Sequence, residues 1–341
     1  MFNKIYDFIK ENIKDLLFFF FWIVFVYVIC FAIKIPYEVE MPGGTIDLGN
    51  RVTIDGEKTE IEGSFNMAYV GVVYGSIPHV LLGLVLPDWE VIKESDYLSE
   101  NETVEDLNNR EKVYLEQSKN QAMVAALVEA GIEYEITNEK NNVIYIDEEA
   151  ETTLKVGDNI IECEGKKVKS IDSVIALIKE KKKGDIINLK VLRDDKEKEV
   201  TAKVYETEDG PKIGILSITT YDVVTEKVIE IESKSSESGP SGGMMMALMI
   251  YNALTEQDLT NGKKIVGTGT IDEYGNVGEI GGVKYKLMGA VKDKADVFLV
   301  PKDNYEEAME VKEEKDYDIE IVSVEKLVDA INYLEGDDNK K

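Results

Sequence analysis

The chain has 341 residues, and at roughly 150 per domain that predicts two or three folded units. Its 39 basic and 67 acidic side chains leave a formal charge of −28, which repels nucleic acid. A hydrophobic content of 44% places that charge on a folded surface, and a single His with two Cys excludes an HExxH site and a zinc cluster.

Residues 1–14 form a short tail ahead of an apolar run. From Leu16 to Ile33 no charged residue occurs. About 18 residues at 1.5 Å each cover about 27 Å, close to the hydrocarbon thickness of a bilayer, so 15–34 is expected to be a single transmembrane helix. Phe31-Ala32-Ile33-Lys34-Ile35-Pro36 offers no A-x-A-like cleavage site, and no small residues precede Cys30 as a lipoprotein signal requires. Lys4, Lys10 and Lys14 stand before the run, whereas Lys34 is followed by Glu38, Glu40 and Asp47. That bias puts the N-terminus in the cytoplasm and everything after about residue 35 outside. Cys163, alone outside, is expected to be a small apolar core residue.

Residues 35–131 are read as a strand-rich segment followed by a long helix. Pro42-Gly43-Gly44, Asp55-Gly56 and Gly63-Ser64 serve as turn signals around strands such as Phe65–Val73. His79, in the run Ser76–Leu82, has no catalytic motif around it and is expected to be partly buried and bonded to a backbone carbonyl. Thr103–Ala130 lacks Gly and Pro and ends at Gly131, as a helix with a Gly cap does.

Residues 132–205 carry an ordered set of elements: a strand at Val143–Ile146, a Gly157-Asp158 turn into a second strand, and a further turn at Gly165. Ile171, Val174, Ile175 and Ile178 then fall on one helical face, and Gly184-Asp185 precedes the strand Ile187–Arg193. The order "L-x-x-GD-x-I", Gly turn, helix, "G-x-x-x-x-L-x-V-x-R" resembles a protease-associated PDZ domain over about 70 residues. The resemblance implies a β-sandwich or barrel with helices that binds a peptide C-terminal tail as an added strand. The stretch before its first strand, Glu139-Lys140-Asn141-Asn142, contains no Gly-rich carboxylate loop; a small β-rich spacer is the alternative reading.

Residues 206–335 form the third block, with 336–341 a tail. Strand-like Ile213–Ile218 and Val228–Ile231 lead to Glu237-Ser238-Gly239-Pro240-Ser241-Gly242-Gly243, and an unbroken apolar run follows from Met244. A Ser between Pro and two glycines at a helix start suits a nucleophile beside an oxyanion hole; it also suits an ordinary N-cap, the commoner case for this segment taken alone. Further on, Thr268-Gly269-Thr270 and Gly278-Glu279-Ile280-Gly281-Gly282 deliver Lys284 and Lys286 to another helix start. Without a usable His, a serine enzyme needs another base, and a Lys desolvated beside the Ser can serve.

The two motifs together, "GPS-[AG]-G" and, about 27 residues later, "TG-x-[IT]" with "G-x-V-x-x-IGG-[LIV]-K-x-K", resemble the Lon-type serine peptidase domain. Lys294–Asn304 is similar to the "GA-x-x-x-L-x-P-x-x-N" strand of that domain. The resemblance implies Ser241 as nucleophile, Lys286 as base and Thr268 as the residue orienting the Lys. It ranks Lys284, read as surface-facing, below Lys286. Gly239, Pro240 and Gly242 would line the oxyanion and substrate backbone. Gly242 departs from the Ala commoner in the motif.

No GxxxxGK[ST] occurs in the chain, so ATP-driven unfolding is not expected. The whole arrangement resembles bacterial membrane-anchored Lon-like PDZ proteases, in which the PDZ domain is inserted in the peptidase fold, so that Phe65–Leu86 would lend strands to the catalytic domain. The fold expected is α+β, with a transmembrane helix, a PDZ domain and a Lon-type proteolytic domain. The function expected is an ATP-independent serine endopeptidase for unfolded or membrane-proximal polypeptides. It needs no metal or cofactor, binds no nucleic acid, and by resemblance forms a homo-oligomer such as a hexamer. The rival expectations are a non-catalytic PDZ adaptor on a silent Lon-like scaffold and a subunit served by an ATPase partner.

Overall fold

The computed structural model describes residues 2–99 and 101–336. The chain opens with α1 (Phe2–Glu11) and α2 (Ile13–Tyr27), extended by a π-helical turn (Val28–Ala32). Strand β1 (Tyr37–Asp47), the short β2 (Val52–Ile54) and β3 (Ser64–Tyr74) follow, then α3 (Ile77–Gly83), β4 (Glu90–Lys93) and the 26-residue α4 (Val104–Glu129). Next come β5 (Glu135–Ile146), β6 (Asn159–Cys163), β7 (Lys166–Lys167), α5 (Ile171–Lys179), β8 (Ile186–Arg193) and β9 (Lys196–Lys203). A hairpin of β10 (Tyr205–Thr207) and β11 (Gly210–Lys212) leads to β12 (Ile215–Val224) and β13 (Ile229–Ile231). The chain continues through α6 (Gly243–Thr255), β14 (Lys264–Gly267), β15 (Thr270–Ile271), β16 (Val277–Gly278) and α7 (Val283–Lys292). Strand β17 (Val297–Pro301), α8 (Tyr305–Lys315), β18 (Glu320–Val324) and α9 (Leu327–Leu334) complete it. Apart from Gly336, the tail expected at 336–341 lies outside the described residues.

Two compact units emerge: Met1–Pro42 with Val70–Tyr97, and Gly43–Tyr69 with Leu98–Lys341. Strands β1 and β3 pass through both. In the first unit, Ile13–Cys30 is long and apolar enough to cross a membrane, and β1 pairs antiparallel with β4. Residues 77–83, expected among strands and hairpins, are helical: Pro78 sits in the first turn, where its missing N–H costs nothing. His79 is half-buried there, and its partner is not a backbone carbonyl but the Ser76 hydroxyl, 2.8 Å from Nδ1.

In the second unit the strand order is β18, β17, β14, β3, β1, with β18, β17, β14 and β3 mutually parallel. Alternate residues of the strands feed two cores. Phe65, Ile265 and Leu299 join the buried methionines of α6 with α4 and α9; Val266, Phe298 and Val300 join α7 and α8. The sheet is therefore covered on both faces, as parallel strands require. Pro42-Gly43-Gly44, read as a turn, lies inside β1. A Cβ on Gly43 would stand 2.1 Å from the Tyr69 carbonyl oxygen, so glycine here serves close backbone approach rather than a reversal.

Helix α4 begins with a Thr103–Asp106 capping box. It ends in a Schellman motif, the Ile132 and Gly131 amides reaching the carbonyls of Leu127 and Val128 at 2.9 and 3.1 Å. A second sheet runs β12, β5, β6, β8, β9, and its own core includes Val143, Ile160, Ile187 and the fully buried Cys163. Glu139–Asn142 are part of β5 rather than a stretch before it. Ile215–Ile218, within the segment expected to open the third block, start β12, which pairs along β5 from Ile215↔Ile146 to Val224↔Glu135.

Candidate active site

Ser241 lies just ahead of α6, whose buried, nearly all-apolar body is locked into the core. The preceding loop is held by α4. The Gly239 amide donates to the Glu111 carbonyl at 2.9 Å, and the Ser118 hydroxyl donates to the Pro240 carbonyl at 2.9 Å. Gly239 has φ +87°, a conformation that favours glycine. An Arg51–Glu237 ion pair at 2.9 Å secures the loop further back. Burial pushes the Glu111 carboxyl up, against the pull of Arg110, whose Nε is 4.0 Å away.

Thr268 follows β14 directly and is fully buried. Its hydroxyl donates to the Ser241 carbonyl at 3.1 Å, and the Gly269 amide donates to the same oxygen at 2.7 Å. In return the Met244 amide donates to the Gly269 carbonyl at 3.1 Å. The head of α6 and the carboxyl end of β14 are thus stitched together by three bonds, and the two sequence motifs meet.

Lys286 sits in the first turns of α7 and is 4% exposed, whereas Lys284 is half-buried with its ammonium 5.6 Å from the Tyr285 ring centroid. Helix α7 is the crossover between the parallel strands β14 and β17, so its amino end, like that of α6, points to the carboxyl ends of those strands. Asn304, just after β17, fixes that end: its Oδ1 accepts the Ile280 amide at 2.9 Å and its Nδ2 donates to the Ile280 carbonyl at 3.0 Å. Ligands of open parallel sheets occupy this edge.

Of the residues expected to line the oxyanion and substrate backbone, Gly239 has its amide committed to α4, and Pro240 has none to offer. Gly242 stands as the N-cap of α6, and a Cβ there would lie 2.6 Å from Met67 Sδ, so glycine matches the methionine beside it. Sequence reasoning missed Ser118, Glu111 and Asn120 on α4. The available signal was the polar run Gln117–Gln121 interrupting the apolar positions of a helix; Ser118, Lys119 and Asn120 are buried.

A concavity of about 660 Å³ lies between α5 and the start of β12, lined by Val174, Ile175, Ile178, Ile213, Gly214 and Leu216. β12 is the edge strand of its sheet; farther along it, α4 takes up the Tyr221 amide through Asn120. The glycine-containing turn beside the groove, Ile213-Gly214, links β11 to β12 and so comes after β9 in the chain and not before β5, where a carboxylate loop was sought.

Residues 208–334 match the family model described as Lon protease (S16) C-terminal proteolytic domain, and residues 131–204 match that of a PDZ domain. A Lon protease of Campylobacter jejuni is 26% identical over 208 residues, 59% of this chain and 25% of that protein. Lon protease 1 of Thermus thermophilus is 36% identical over 103 residues, 30% of this chain and 13% of the relative. The chain thus spans a quarter or less of the length of these relatives. The PDZ domain of an SdrC-like protein from Listeria innocua is 32% identical, covering 23% of this chain and 92% of that structure, with a TM-score of 0.22.

Proposed function

We propose that this chain, whose Lon-type proteolytic domain, PDZ domain and N-terminal apolar helix fit a membrane-anchored Lon-like PDZ protease, is an ATP-independent serine endopeptidase with a Ser241–Lys286 dyad. The observation that carries the reading is the double hold on the Ser241 carbonyl by Thr268 and Gly269, which fixes the nucleophile loop against the strand end toward which the buried Lys286 helix also points.

In the proposed reaction the neutral amine of Lys286 accepts the Ser241 hydroxyl proton as Oγ bonds to a substrate carbonyl carbon. The Gly242 amide, at the positive end of α6, stabilises the oxyanion. Collapse of the tetrahedral species breaks the C–N bond, and the Lys286 ammonium returns the proton to the leaving amine. Water then cleaves the acyl-enzyme by the same exchange. Thr268 positions Ser241 through the backbone and is not itself a reacting group.

The α5–β12 groove supports capture of an extended polypeptide tail, added to the edge of β12 with apolar side chains against Val174 and Ile178. With the N-terminus cytoplasmic, the proteolytic domain works outside on unfolded or membrane-proximal chains. A homo-oligomer belongs to the same reading, and sedimentation of the solubilised protein measures it.

The test is cleavage of a fluorescently labelled unfolded protein by the full chain, without nucleotide and with a chelator present, beside Ser241→Ala and Lys286→Ala. Turnover by the parent and none by either variant is the expected result. Equal inactivity of all three, each folded, would overturn the enzyme in favour of a PDZ adaptor or a partner-dependent subunit.

A further inference from the structure

In the first unit, Val80-Leu81-Leu82-Gly83-Leu84-Val85-Leu86 contains no polar side chain, yet it faces outward. Leu81 is 59% exposed, Leu84 72% and Val85 79%. A contiguous apolar patch of this kind marks a surface that something covers. The segment is ordered rather than loose: Val85 and Leu86 donate to the Leu82 carbonyl at 3.0 and 2.8 Å, and Leu84 to the Val80 carbonyl at 3.1 Å. Its inner side is seated, since a Cβ on Gly83 would lie 2.6 Å from Val91 Cγ2 and 3.4 Å from Val39 Cγ1.

What covers it follows from its neighbour. Helix α3 packs against the π-helical turn Val28–Ala32 at the end of the apolar helix. The chain leaving that helix is bonded to the chain entering α3: the Ile35 amide donates to the Gly75 carbonyl at 3.2 Å, and the Gly75 amide to the Tyr37 carbonyl at 2.7 Å. An 18-residue helix from Ile13 barely equals the hydrocarbon thickness, so its last turns lie within the outer half of the bilayer when it spans. Whatever packs beside Val28–Ala32 stands at that depth. His79, stacked on Trp89 with ring centroids 6.2 Å apart, supplies the amphipathic aromatic border that suits a membrane–water interface.

We infer that the α3 turn, residues 80–86, inserts into the acyl region of the outer leaflet beside the membrane-spanning helix, giving the protein a second, non-spanning lipid contact. The inference rests on the anchor reading above. It makes the anchor a two-point attachment, so that the first unit is held at the bilayer rather than swinging from one helix.

The test uses the full chain in liposomes, where Trp22 and Trp89 are the two native tryptophans. Val85→Trp in a Trp22→Phe, Trp89→Phe background reports the turn; Trp89→Phe alone leaves Trp22 to report the spanning helix. Lipids brominated along the acyl chain are expected to quench the reporter at position 85 by about twofold relative to plain lipid, and Leu84→Asp is expected to relieve that quenching. Quenching of Trp22 without quenching at position 85 would overturn the inference and leave the anchor intact. A blue-shifted, unquenched reporter would mean that a second protein copy covers the turn, which also overturns it. With neither position quenched, the anchor reading fails and the inference falls with it.

Discussion

Asn304 holds Ile280 by both backbone groups, accepting its amide at 2.9 Å and donating to its carbonyl at 3.0 Å. The clamp sets where the Gly281-Gly282 turn leaves the sheet and hence where Lys286 enters. Asn304→Ala strands two buried backbone groups, at a cost of about 2–4 kcal/mol. Because the loss falls on the placement of the proposed base, kcat on an unfolded substrate is expected to fall about tenfold or more while KM changes little. Steady-state kinetics with parallel urea denaturation separates the two effects.

Thr268 offers a cleaner separation of hydroxyl from volume. Thr268→Val keeps the shape but removes the bond to the Ser241 carbonyl, so turnover is expected to drop about two- to tenfold, the kinetic equivalent of one hydrogen bond. Thr268→Ser keeps the donor and leaves a methyl-sized void, so activity survives while the thermal midpoint falls. An activity order with Val above Ser would contradict the positioning role.

Glu38 predicts a pH dependence of stability in the first unit. Burial, with Glu40 and Glu94 nearby, pushes its carboxyl up from 4.5 to about 7. The folded state therefore holds a proton that the unfolded state has released. The contribution is fully present below pH 4.5 and is lost as pH rises through about 7, an effect on the order of 2–3 kcal/mol. Glu38→Gln is expected to be more stable than the parent at about pH 8 and to flatten the dependence, as thermal unfolding across that range would register.

Gly43→Ala probes the interior of β1. The new methyl meets the Tyr69 carbonyl 2.1 Å away, a backbone contact that cannot swing aside. A loss of about 3 kcal/mol or more, or failure to accumulate folded protein, is expected; Gly56→Ala, with nothing within 4 Å but φ +80°, is expected to cost only about 1 kcal/mol. Comparable thermal midpoints for the two variants would remove the steric account.

The sequence made some of this legible because local chemistry determines it. The Gly131 cap of α4 and the order of turns from Gly157 to Gly184 follow from short-range pattern, whereas the burial of Lys286 relative to Lys284 was legible only through the family resemblance. Pro42-Gly43-Gly44 misled because glycine signals both turns and close packing, and Tyr69, which distinguishes them, lies far along the chain. Residues 77–83 misled because their apolar run has no helical periodicity to read: none of them is buried, and Leu81 and Leu82 are exposed. The hold of Ser118 on Pro240 was invisible, since a pairing across 122 positions leaves no local trace.

Ser118 and Asn120 stand two positions apart on α4. The first donates to the Pro240 carbonyl beside Ser241, and the second accepts the Tyr221 amide of β12 at 3.1 Å. Tyr221 in turn donates its phenol to Glu273, in the turn between β15 and β16. The two family matches part between residues 204 and 208, yet β12, beyond that point, completes the sheet begun by β5. The chain is consequently not a string of exchangeable modules. Severed at the seam between the matches, the first piece would carry an unpaired β5 edge, and the second a strand without a sheet. A graft that respects the hydrogen bonds must move 135–146 and 215–224 together, with α4 as the shared wall.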